Sequence, residues 1–91
     1  MKLIFCPSCE DVKKLQREVT WCRCMRSWGW YAEDGLNATI AGQAVPIGFS
    51  NSSFTEALFD ASLPHNHGPL GVRFEAFVIP MPCKTITRKE A

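Results

Sequence analysis

The chain has 91 residues, 46% of them hydrophobic and 21% charged, with a net charge of +1. That size fits one domain with a limited core, the class in which a metal or a disulfide commonly supplements burial. The near-neutral charge gives no basic field for non-specific nucleic-acid binding, and no apolar run approaches the ~20 residues of a membrane span.

Lys2 to Phe5 is a short, mostly apolar run that delivers the chain to Cys6. It is too short for the apolar stretch of a secretory signal, which predicts a cytoplasmic protein with reduced thiols. Val12, Leu15 and Val19 fit a helical stripe, yet they sit between two cysteine pairs, where a β-hairpin is usual; both readings stay open. Tyr31 to Phe49 reads as strands with turns. Asp34-Gly35 is a good tight-turn signal, Gly42-Gln43 a weaker one, and Pro46 predicts an edge or a bulge.

One helix is predicted from Ser53, with Ser53 as its cap and Glu56 completing a capping box. Phe54, Ala57, Leu58 and Ala61 form its apolar face. Leu63 to Gly71 is a loop punctuated by two prolines and two glycines. Val72 to Ile79 is a strand apolar on both faces, a pattern that suits the middle of a small sheet. The last residues form a polar tail with one possible edge strand at Thr85 to Thr87. The expected fold class is α+β, a single domain over 1–91. It has a small zinc-ribbon-like knuckle (1–31) joined to an antiparallel sheet with one helix. Residues 32–83 supply a β-hairpin, the helix and a central strand, and 84–91 the tail.

Cys6 and Cys9 form one close pair, Cys22 and Cys24 another, twelve residues apart. Zinc takes four soft or borderline ligands in a tetrahedron, and two turns carrying two thiolates each supply them. A redox dithiol or unrelated buried thiols are the competing readings. With four protein ligands the zinc is structural, since no position remains for a water. Cys83 reads as a buried or semi-buried thiol, with a replacement ligand for Cys22 or Cys24, or a nucleophile, as sharper alternatives. His65-Asn66-His67 spells a nuclease family's name, but that motif spreads its residues over a ββα unit. Three in a row read as a surface loop.

Arg23, Arg26, Trp28, Trp30 and Tyr31 crowd the second cysteine pair. Arginine forks suit phosphate oxygens and aromatic faces suit bases, so the cluster is a candidate nucleotide surface; core packing of the rings competes with it. Ser50, Asn51, Ser52 and Ser53 lead into the helix, whose N-terminus favours phosphate; simple capping competes there. If the two surfaces face each other, across a subunit boundary of a homo-oligomer, they make a pocket for a small anionic nucleotide.

The segments CPSCEDV and CRC, then YAEDGLNATIAGQAVPIGFSNSSF, then RFEAFVIPMPC, resemble a group of short zinc-ribbon-like proteins of phages and prophages. The resemblance runs from Cys6 to about Thr85. It departs at Met25 and Gln43, where the group has glycine and proline, and in the tryptophan-rich SWGWY. It implies a phage setting in the host bacterial cytoplasm, where small non-virion proteins act on the host. The resulting expectation is a non-enzymatic, anti-defence protein that sequesters a small nucleotide immune signal. A zinc-ribbon protein binding nucleic acid, or an inhibitor docking on a host protein, is the alternative. No paired nucleophile and base and no phosphate loop favours an enzyme.

Overall fold

The computed structural model describes residues 1–63 and 71–89. Among them, eight strands and one helix follow in chain order: β1 (Lys2–Phe5), β2 (Val12–Lys14), β3 (Thr20–Trp21), β4 (Ser27–Tyr31), β5 (Ala38–Gly42), β6 (Val45–Phe49), α1 (Asn51–Ser62), β7 (Ala76–Val78) and β8 (Ile86–Lys89). The fold is α+β. Its strands form two sheets rather than one, in the orders β2-β1-β6-β7 and β3-β4-β5-β8. Every ladder is antiparallel except that between β5 and β8.

Alternation along each strand decides what is buried. In β4, Ser27 and Gly29 turn inward while Trp28 and Trp30 turn outward and stay half-buried. The core gathers Ile4 and Leu15 from the first sheet's side with Ala38, Ile40 and Ile86 from the second, and Ala44 from the crossing between them. Tyr31 joins the sheets by hydrogen bonds: its hydroxyl accepts from the Lys2 N–H at 2.8 Å. Its own N–H donates to the Gln16 carbonyl at 2.7 Å.

Gly42 ends β5 with φ +67°, and a Cβ there would fall 2.1 Å from the Arg26 carbonyl oxygen. Only glycine lets the chain turn this close to its neighbour before Gln43 and Ala44 carry it into the other sheet. In the β4–β5 loop the Asp34 carboxylate accepts from the N–H groups of Leu36 and Asn37, both at 2.9 Å. Those bonds, Leu36 first, hold its carboxyl below the usual range.

Four expectations are corrected. The helix begins earlier: Ser50, directly after β6, is the cap, and its hydroxyl accepts from the Ser53 N–H. The serine run therefore becomes the first turn. Of the expected apolar face, Ala57 alone is buried, and Leu58 and Ala61 are exposed. Phe54 is half-buried against Phe49 and Phe74, with ring centroids 5.7 and 4.7 Å away. Among the described residues the expected central strand is an edge strand: β7 pairs with β6 alone and all three of its residues are exposed. The possible edge strand in the tail is present as β8, at the sheet edge beside β5, where Ile86 fills the core between polar neighbours. Pro46 lies in β6 with strands on both sides. Its missing N–H falls level with Ile79, just past the end of β7, so few ladder bonds are lost. His65 and His67 lie outside the described residues.

Candidate metal centre

The four paired cysteines converge. Cys6 and Cys9 sit in the turn between β1 and β2; Cys22 and Cys24 sit between β3 and β4. Each turn is closed by its own backbone. The Glu10 N–H donates to the Cys6 carbonyl at 2.7 Å, and the Met25 N–H to the Cys22 carbonyl at 3.1 Å. In both turns the residue after the second cysteine is left-handed, with φ +57° at Glu10 and +65° at Met25. Arg23 locks the turns together: its N–H donates to Asp11 and its guanidinium to the Cys9 carbonyl, both at 2.8 Å.

All four sulfurs lie within 4.8 Å of one another. Cys24 stands 3.7 Å from Cys6 and 3.6 Å from Cys22. A tetrahedron with metal–sulfur bonds of ~2.3 Å has edges of ~3.8 Å. A disulfide needs ~2.05 Å, and all five cysteines are free.

The surroundings also suit bound thiolates. The Ser27 N–H donates to Cys22 Sγ at 3.3 Å. The Ser27 hydroxyl is buried and has no formed hydrogen bond. Its approach is the main influence lowering the Cys6 thiol to about 6, so it is a donor placed where thiolate charge would collect. For Cys22, burial and the Cys6 sulfur oppose ionisation, but the Ser27 N–H with Cys24 and Cys9 prevails and lowers its pKa. For Cys24 the Arg26 N–H favours the thiolate, yet desolvation and the other three sulfurs push it up to about 12. Four thiols this close cannot all ionise without a cation between them. The donor set, the spacing and the N–H groups aimed at the sulfurs fit a metal ion held by four sulfurs.

The predicted ligand surface is divided. Trp28 and Trp30 share the outer face of the second sheet, where Trp28 stacks on the exposed Trp21 with centroids 4.6 Å apart. Lys89 approaches Trp30 at 6.0 Å. Arg26 is exposed, while Arg23 is committed to the knuckle. Tyr31 points the other way. It lines a hollow of ≈ 500 Å³ with Lys14, Gly35, Asn51 and Phe54, which adjoins a second of ≈ 450 Å³ containing Arg17. Ser50 and Ser53 are spent on structure: the Ser53 hydroxyl accepts from the Glu75 N–H at 2.8 Å. Ser52 is exposed.

Sequence reading missed Lys14, Arg17 and Trp21. Trp21 carried a local signal, standing beside Cys22 with the alternation of a strand. Lys14 and Arg17 carried none, because their neighbours Tyr31, Gly35 and Asn51 are distant in the chain. Cys83 is half-buried near the core rather than at the cysteine cluster, with Thr85 Oγ1 at 3.5 Å. Among the described residues no helix is long and apolar enough to cross a membrane. No family model, curated protein or solved structure matches the chain.

Proposed function

We propose that this chain is a zinc-stapled, non-enzymatic binding protein that holds a small phosphate-bearing nucleotide beside Tyr31. Zinc is the metal favoured by an all-sulfur tetrahedral donor set in a reduced protein. Its role is structural, since four thiolates leave no site for substrate.

One observation carries the ligand reading. The two adjoining hollows share Lys14, Tyr31 and Gly35, and Arg17 and Asn51 stand at their ends. Neither Lys14 nor Arg17 has an ion-pair partner among the described residues, where Lys13 with Asp11 is the one such pair. Two cations without ion-pair partners among the described residues, a phenol ring and a helix start suit a phosphate with an attached base, lying in an open surface groove. The resemblance to phage proteins supplies the setting, an anti-defence protein in the host bacterial cytoplasm.

A second reading has its own support. Trp21, Trp28 and Trp30 with Lys89 make an aromatic, basic sheet face of the kind on which single-stranded nucleic acids stack. One titration panel separates the two. Zinc-loaded protein is tested against cyclic and linear nucleotides, short single-stranded DNA and RNA, at two salt concentrations. The groove reading expects a nucleotide to bind with modest salt dependence, and Lys14→Ala with Arg17→Ala to abolish it while Trp21→Ala does not. Salt-sensitive oligonucleotide binding lost in Trp21→Ala assigns the tryptophan face instead. No binding by either class refutes both.

A further inference from the structure

The four sheet edges are not alike. β2 carries Lys13 and Lys14, β8 carries Arg88 and Lys89, and β3 has only two residues. Lysine, arginine and shortness are the usual guards against edge-to-edge pairing. β7 is as short as β2 but carries no charged residue: it reads Ala76-Phe77-Val78, with Phe77 51% and Val78 64% exposed.

The ladder also leaves the right groups free. β7 pairs with β6 in the register Ile47 with Val78, Gly48 with Phe77 and Phe49 with Ala76. The flanking bonds run from the Ile79 N–H to Pro46 and from the Ser50 N–H to Glu75. Antiparallel pairs alternate, so residues 75, 77 and 79 face β6. The N–H and C=O groups of Ala76 and Val78 then point outward.

We infer that β7 is the interface of a homodimer, in which a second copy of this chain pairs its own β7 antiparallel across a two-fold axis. The occupant follows from self-complementarity. With the axis at Phe77, Ala76 bonds the partner's Val78 and Val78 bonds the partner's Ala76. All four outward groups of each chain are satisfied. Phe77 then lies directly opposite its own copy in the close, non-hydrogen-bonded pair, the position where aromatic rings contact best. The two sheets become one of eight strands.

Apolar side chains are available to such an interface. Phe77 and Val78 on β7 are 51 and 64% exposed, and Phe74 and Met81, close by in the chain, 38 and 42%. A specific dimer interface is a little over half apolar, so these side chains are the ones a partner would cover. The inference is independent of the ligand groove, which β7 does not line.

Sedimentation equilibrium of the zinc-loaded chain tests it. Wild type is expected at twice the chain mass at micromolar concentration. Val78→Pro removes only an outward N–H, and Val78→Lys places like charges across the axis. Each is expected to weaken the dimer at least ~10-fold while zinc content and circular dichroism are unchanged. Val78→Thr keeps the N–H and the branched shape and is expected to remain dimeric. A wild type that stays monomeric at ~100 μM, well above the range of a specific interface, overturns the inference. So does a dimer equally tight in the Pro and Lys variants. A monomer that instead captures an extended peptide on this edge overturns the choice of partner.

Discussion

Met25→Gly is expected to stabilise the protein. Met25 follows Cys24 and is held at φ +65°, a region an L-residue enters at a cost of ~1–2 kcal/mol. Its side chain is 62% exposed, so its removal forfeits little burial. Glycine's greater freedom in the unfolded chain returns ~0.5–1 kcal/mol of that strain. The net gain is therefore ~0.5–1 kcal/mol. For a domain of this size each kcal/mol moves Tm by ~4–8 °C, giving a rise of ~2–8 °C. The assay is a thermal melt by circular dichroism at saturating zinc, with Met25→Ala alongside. Alanine keeps the strained backbone and loses the side chain, so it should not gain. If Met25→Gly melts at or below Met25→Ala, the left-handed knuckle is not where the strain lies, and the reasoning fails.

Removing the metal with a strong chelator should unfold the chain, because a structural zinc site supplies ~10–16 kcal/mol against a total stability of ~5–15. Near-UV dichroism that survives chelation, or a Cys9→Ser variant that melts like wild type, contradicts this. Zinc binding at pH 7 should release at least one proton. Cys6, at about 6, is already ionised, but Cys24, pushed up to about 12, must lose its proton to become a ligand. Calorimetry in two buffers of different ionisation enthalpy reads that number, and zero release refutes the assignment of Cys24. Gly42→Ala should cost ~2–4 kcal/mol in a urea melt, combining positive φ with a Cβ driven into the Arg26 carbonyl. A loss below ~0.5 kcal/mol, the range of an ordinary surface change, would mean that the β5 turn is not this tight.

The cysteine cluster was legible because its signal is local: two close pairs in two turns need no knowledge of the rest of the chain. The helix was legible for the same reason, although its start was displaced by three residues. Several serines there can each cap, and only the end of β6 decides which one does. β7 was misread because an apolar pattern on both faces describes a covered central strand and an open edge equally well. Periodicity reports what a strand is able to bury, and the neighbours decide whether it does. β8 was read as a possible edge inside a tail, since Thr87, Arg88 and Lys89 outvote Ile86. A single isoleucine entering the core level with Ala38 was enough to anchor it. The groove was not legible at all, for Lys14 meets Tyr31 and Asn51 only through the packing of two sheets.

That packing explains why the cysteines matter beyond their own turns. Cys6 and Cys9 belong to the end of the first sheet, Cys22 and Cys24 to the end of the second. A metal bound by all four is a clamp between sheets. The core that must otherwise hold them together is small, with Ile4, Leu15 and Ile40 its largest fully buried apolar side chains. Burying each contributes ~1.5–3 kcal/mol, which is modest against ~1–2 kcal/mol of backbone entropy for every ordered residue. Chelation should therefore separate the two sheets rather than fray one loop. The proposed ligand groove combines Lys14 from one sheet with Tyr31 from the other, so the binding proposed there should disappear with the metal.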